Sequence, residues 1–234
     1  MAIVLVIVGL LLGGLLMPLQ TQIEQRRISE TQKYLDQIKD ALLGFAAANG
    51  RLPCPAAATT NGLENPPGGG VCTNPYNGFL PAVTLGLSPV DNNGFAIDAW
   101  NSGIRYAVTT SNASAFTTVA GMRTATLAAL APDLFVCNSS TGITATTCGA
   151  PGNTNTLTAN AVVVIYSLGN NAGAGGTGLD ETANPNPNSA NNDQVFISHT
   201  PTYPGATNGE FNDIVTWISP NILYNRMISA GTLP

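Results

Sequence analysis

The first seventeen residues limit this chain more than any other stretch. Met1 to Met17 carries no charged or polar side chain, Pro18 follows, and a polar helical pattern then runs without a break from Gln20 to Asn49. A membrane-spanning helix takes about 20 apolar residues and the core of a signal peptide about 7 to 15, so the run falls between the two. No basic residue precedes it, and Leu15, Leu16, Met17 and Pro18 stand where a small-x-small cleavage site would be. Removal as a signal peptide is therefore not expected. What remains is a hydrophobic helix continuous with an amphipathic one.

In the amphipathic part Ile28, Leu35 and Leu42 are seven apart, as are Ile38 and Phe45, which gives one apolar stripe. Arg26 with Glu30 and Asp36 with Lys39 are spaced to pair on the wet faces. From about residue 25 onward such a helix packs on its own domain, and Gly50 ends it as a left-handed cap. The earlier half has no domain to rest on. Pro18 cannot donate to the carbonyl of Gly14, and Gly13 and Gly14 each weaken the helix by roughly 1 kcal/mol relative to alanine. This segment is built to stretch or melt.

Four cysteines, Cys54, Cys72, Cys137 and Cys148, have no C-x-x-C spacing, and the chain has one histidine, so a zinc site is not expected. Three pairings are open. The sequential one, Cys54 with Cys72 and Cys137 with Cys148, closes two short loops and is the expected one, each bridge contributing roughly 3 kcal/mol. Oxidised cysteines place the domain in the periplasm or outside the cell. Charged residues make up only 9% of the chain, with amides and hydroxyls in their place, which is common on proteins exposed outside the cell. Arg26 and Arg27, just after the apolar run, would favour the opposite topology, a conflict that a basic leader upstream of Met1 would resolve.

Strands are expected at about Ile104 to Thr109, Leu134 to Asn138, Ala161 to Leu168, Gln194 to Ser198 and Ile214 to Ile218, the third a continuous apolar run suited to a sheet centre. Thr117 to Ala131 reads as a short helix or irregular segment. Asn61 to Gly78 and Asn170 to Asn192, rich in Gly, Asn and Pro, read as loops, the second too long for a simple turn. Ser219 and Pro220 start a final helix through Ser229, stopped by Gly231.

Little here suggests catalysis. Ser198 and His199 are adjacent in a strand and point opposite ways, and no G-x-S-x-G elbow, phosphate loop or His-x-x-x-His pair is present. Asp180, Glu181, Asp193, Glu210 and Asp213 lie on or beside long loops rich in amide and backbone oxygens. That donor set suits a hard cation such as calcium, with Asp180, Asp193 and Asp213 as candidate ligands; solvated loop charges are the competing reading. Beyond Arg51 only Arg105, Arg123 and Arg226 stand against nine carboxylates, so nucleic-acid binding by charge is not expected.

The N-terminus resembles that of type IV pilins and the related pseudopilins, in which an apolar helix carries a glycine partway and a proline near its end; Gly9 and Pro18 fit those positions. Met1 would then follow the family's N-terminal glutamate, so the leader and glutamate are expected to lie upstream or to have been trimmed. Asp98, Trp100 and Tyr106 resemble the Asp-x-Trp-Gly turn and strand of the major pseudopilin of type II secretion systems, with Asn101 and Ser102 where the glycine is expected. Ser167 to Asn171 and the late Asp213 and Ile214 are similar to that protein's calcium-bearing loop, with longer spacing and an asparagine for an aspartate.

The resemblance implies an α+β pilin-like fold. Residues 1–25 would be a hydrophobic helix for membrane and filament core, 26–50 an amphipathic helix packed on the head, and 51–234 a disulfide-bonded head with an antiparallel sheet and a short C-terminal helix. It implies a structural subunit of an extracellular type IV pilus-class filament of identical copies, held in the inner membrane with a periplasmic head before assembly by pilus or secretion machinery. Gly9, Gly13, Gly14 and Pro18 would serve assembly. The alternatives are a type II secretion pseudopilin and, from another class, a monomeric membrane-anchored periplasmic binding module.

Overall fold

A computed structural model describes residues 20–150, 154–174, 176–184 and 194–233, and of residues 2–19 the helical backbone alone. Helix α1 (Ala2–Asn49) packs on the head through Thr31, Tyr34, Leu35, Ile38, Leu42 and Ala46, all buried and spaced three or four apart. Leu35, Ile38 and Leu42 are the expected stripe, while Ile28 and Phe45 are only half-buried at its ends. Both wet-face pairs form, Arg26 to Glu30 at 2.7 Å and Lys39 to Asp36 at 2.9 Å. The helix stops at Gly50, whose φ of 67° suits a residue without a Cβ and whose N–H donates to Ala46 O at 2.9 Å.

The head contains β1 (Gly78–Phe79), α2 (Ala82–Leu85), β2 (Arg105–Val108), α3 (Ser111–Ser114), α4 (Gly121–Ala125), β3 (Leu134–Cys137), β4 (Thr156–Ala161), β5 (Val163–Ser167), α5 (Leu179–Ala183), β6 (Val195–Ile197), β7 (Ile214–Ile218) and α6 (Pro220–Ser229). The main sheet has the order β1-β2-β5-β7, antiparallel throughout, with Tyr106 opposite Ile165 and Ile165 opposite Thr216. A second sheet, β4-β3-β6, departs from the expected antiparallel pattern because β3 and β6 run parallel. Parallel neighbours need a long crossover, and residues 138–194 supply it.

Strand β5 is central and buried on both faces, as its apolar run demands. Val163 and Ile165 join the core shared with α1 and α6, and Val164 and Tyr166 join a second core with Leu134, Val136 and Phe196 of the other sheet. The fold is thus three layers: helices, main sheet, second sheet. Helix α6 begins and ends where expected, with Ser219 before it, Pro220 in its first turn and Gly231 (φ 74°) just beyond.

Both disulfides take the sequential pairing, Cys54 with Cys72 and Cys137 with Cys148. Arg51 clamps the first loop by two hydrogen bonds to the buried Glu64 carboxylate, at 2.7 and 2.8 Å. The structure departs from the sequence reading in two further places. Within 170–192, residues Gly169–Ala174 form a 3-10 helix and Leu179–Ala183 form α5, where a loop was expected. Strand β4, rich in Thr and Asn, had not been expected at all. Among the described residues no helix is long and apolar enough to cross a membrane, a statement that leaves the side chains of 2–19 aside.

Candidate functional site

The acidic loops gather at one end of the head, and α5 divides them. Its first turn carries Asp180 and Glu181, adjacent and buried, in two different hydrogen-bond clusters. The Asp180 carboxylate accepts from Ser140 N (2.6 Å), Ser139 Oγ (3.4 Å) and Asn208 Nδ2 (3.0 Å to Oδ2), and meets His199 Nε2 at 3.1 Å. Burial opposes its ionisation, but the hydrogen bonds from Ser140 and Asn208 and the nearby His199 outweigh that and hold it below the usual carboxylate range.

His199 stacks on Phe211 with ring centroids 3.9 Å apart, and its Nδ1 lies 2.7 Å from Thr200 O. Both ring nitrogens therefore face acceptors. Among the described residues no hydrogen bond joins His199 to Ser139 or Ser198, the contact a nucleophile–base pair would use.

Glu181 lies in the other cluster. Its Oε2 accepts from Asn171 Nδ2 (3.0 Å), Thr177 N (2.9 Å) and Gly178 N (3.3 Å), and its Oε1 accepts from Asn212 N (2.9 Å). Next to it is Asp213, whose carboxyl is pushed up to about 8, chiefly by burial and further by the Glu181 charge, against a 2.7 Å hydrogen bond from Asn184. Asn184 also receives Ile197 N (2.7 Å) and donates to Ile197 O (3.1 Å), which fastens the end of α5 to β6. Asn171 Oδ1 and Asn212 Oδ1 are buried with no hydrogen-bond partner among the described residues. Asn212 Oδ1 sits where a Cβ on residue 169 would be, so Gly169 (φ 62°) is required there.

This cluster is tied to the long helix. Asn212 Nδ2 donates to Asn170 Oδ1 (3.0 Å), Asn170 Nδ2 donates to Glu24 Oε1 (3.3 Å), and Trp100 Nε1 donates to Glu24 Oε2 (3.3 Å). Trp100 is presented by the Asp98 turn: Asp98 Oδ1 accepts from Trp100 N (2.9 Å) and Ser102 N (2.8 Å), and Oδ2 accepts from Ser167 Oγ (2.6 Å). Asn101, in the place of the expected glycine, takes φ 63°, a conformation asparagine tolerates. Between helix and head a cleft of about 320 Å³ opens beside Glu24, Trp100 and His199.

Of the candidate ligands, Asp180 and Asp213 thus lie in separate clusters, and Asp193 lies outside the described residues. No group of three or more His, Cys, Asp or Glu side chains could hold a metal ion among the described residues. Calcium takes six to eight oxygen ligands. Asp180, Glu181 and Asp213 each already accept hydrogen bonds; the unpartnered oxygens of the region are the amide oxygens of Asn171 and Asn212, beside Glu181 and Asp213. The role of Glu24 and Asn212 could not be read from the sequence, since each meets its partner through a fold-dependent contact; Asn171 lies in the Ser167 to Asn171 stretch already singled out, but its contact with Glu181 is likewise set by the fold. The assembly positions Gly9, Gly13, Gly14 and Pro18 lie outside the residues whose packing is described.

Comparison with family models, with curated proteins and with solved structures finds no match to this chain.

Proposed function

We propose that this chain is the structural subunit of a type IV pilus-class filament, assembled through its N-terminal helix. The observation that carries the reading is the division of α1. From Thr31 to Ala46 the helix is sealed onto the head, whereas from Gln20 to Glu30 every side chain except Glu24 and Ile28 is exposed, and this uncovered part continues into the seventeen apolar residues. At 1.5 Å per residue the whole helix is about 70 Å long. Burial of the apolar run, at roughly 1.5 to 3 kcal/mol per large side chain, is met equally by lipid and by the same segment of neighbouring copies. A subunit stored in the inner membrane can therefore pass into an extracellular filament of identical chains without exposing that surface to water. The role is mechanical rather than enzymatic, with the disulfide-bonded head facing solvent.

The hydrogen-bonded path from Glu24 through Asn170 and Asn212 to Glu181 gives the acidic loops a part in this reading. It fixes the helix against the head where the uncovered segment begins. Calcium held by Glu181, Asp213 and the free amide oxygens of Asn171 and Asn212 would stiffen that path. The same Asp98–Trp100 turn and loop favour a secretion pseudopilus as the second form of the reading.

Electron microscopy of sheared surface material tests the class. Filaments that contain this chain are the expected result. A chain recovered only as a detergent-soluble monomer overturns the filament and leaves the anchored binding module.

A further inference from the structure

Away from the helix, the Asp180 cluster forms the floor of an open pocket of about 440 Å³, inside the roughly 300–1,000 Å³ range of small-molecule sites. The floor is locked. Asp180 is held from three sides, His199 is pinned between Asp180, Thr200 O and the Phe211 ring, and Thr202 closes its loop on Phe211 through N–H to O contacts of 3.0 and 3.2 Å. The rim is open: Asn138, Thr200 and Thr207 are exposed, and their side chains make no hydrogen bond among the described residues. The turn that supplies Thr202 and Ala206 to the lining also carries Tyr203, which is 70% exposed and lies against Gly205, where an added Cβ would come within 2.9 Å of the ring.

We propose that this pocket binds a neutral sugar unit, a terminal pyranose, with Tyr203 as the ring it rests on. Amide and hydroxyl side chains both donate and accept, as the hydroxyls of a sugar do, so the rim is matched to closely spaced groups of mixed character. Asp180 and His199 are the ionisable groups of the lining, and they already face each other. The Asp180 oxygens are also taken up by Ser139, Ser140 and Asn208, so the lining turns no free charged group toward an anion or a cation. An apolar ligand would take the rim amide and hydroxyls from water without pairing them, which opposes its binding. The exposed tyrosine supplies an apolar face with a polar tip, which suits a ligand with C–H groups on one side and hydroxyls on the other. Because the floor is held in place before any ligand arrives, little ordering opposes binding. The pocket belongs to the single chain and does not depend on filament formation.

The test is a titration of the full chain, isotope-labelled in micelles of a zwitterionic detergent without a sugar headgroup, with the methyl glycosides of glucose, galactose, mannose and N-acetylglucosamine up to tens of millimolar. At least one is expected to give saturable amide shifts at Thr141, Tyr203 and Thr207. Tyr203→Ala should weaken that binding about tenfold, a change of about 1.4 kcal/mol, and Thr207→Val should weaken it severalfold, both with unchanged shifts elsewhere because these side chains are on the surface. Saturation by none of the four sugars overturns the proposal. So do shifts confined to residues outside 138–141 and 199–209, or equal affinity in the wild type and both variants.

Discussion

The two ends of the head are held together by different physics. Where α1 meets the main sheet, contact is made by Leu35, Ile38, Leu42, Ile104, Val108, Val163 and Ile165, all fully or almost fully buried and apolar. Where α5 meets the second sheet, Asp180, Glu181, Asn184 and Asp213 are buried among hydrogen bonds, and the apolar cluster beside them is small and stapled by Cys137–Cys148. Apolar burial is non-directional and insensitive to pH. A buried carboxylate network is directional, and its stability depends on which groups carry protons. The first end is therefore a platform, and the second is the part of the molecule that conditions can loosen.

The largest expected contrast comes from pH. Asp213 has its carboxyl raised from the ordinary 3.8 to about 8, so its folded form prefers the proton. Its contribution is full below about pH 4 and is lost as pH rises through about 8. The difference between its two protonation states is on the order of 5 kcal/mol. In the presence of a chelator, Asp213→Asn should flatten the dependence of stability on pH between 4 and 9 and raise stability at the alkaline end. Parallel denaturation curves for the two proteins across that range would break the comparison.

On the apolar side, Leu42→Ala should cost about 2 to 5 kcal/mol at every pH, because it empties a fully buried site between helix and sheet. Urea denaturation at two pH values checks both the size and the absence of a pH effect.

Replacing Cys137 and Cys148 together by serine should cost about 3 kcal/mol by closure of the short loop, read as a lower melting temperature. Proteolysis should then begin near residues 138–148 while the helix and main sheet resist. Cleavage starting in the helix would show that the two ends do not differ as described.

The smallest effect concerns the tie between them. Glu24→Gln should change global stability by no more than about 1 kcal/mol, since its hydrogen bonds to Trp100 and Asn170 are partly exposed. Faster amide exchange is expected only from about Gln20 to Ile28. Addition of calcium should slow that exchange in the wild type if the acidic loops stiffen the path, and an unchanged rate would remove calcium from the reading.

Much of the platform was legible because its signals are periodic or local. Leu35, Ile38 and Leu42 recur at helical spacing, Val163 to Tyr166 is a run that only a central strand can hide, and Ser219 with Pro220 at one end and Gly231 at the other punctuate α6. The two cysteine pairs close short loops, so proximity along the chain also indicated proximity in space. Strand β4 escaped because Thr156–Ala161 is an edge strand, exposed along most of its length, whose apolar alternation rests on Leu157 and two alanines and buries only Ala161. Helix α5 escaped because five residues in a run of Gly, Asn and Pro show less than two turns of any period.

What the sequence determined by itself was the class of each segment: an apolar run that water will not accept, a striped helix after it, an oxidised head and strands of the right length. The tertiary structure alone decided which carboxylates meet. Asp180 and Glu181 are neighbours in the chain, yet successive residues of a helix point about 100° apart, so one faces Ser140 and His199 and the other faces Asn171 and Asn212. Glu24 reaches Asn170 across 146 positions of sequence because the helix lies over the end of the main sheet, a contact that no spacing within the chain encodes.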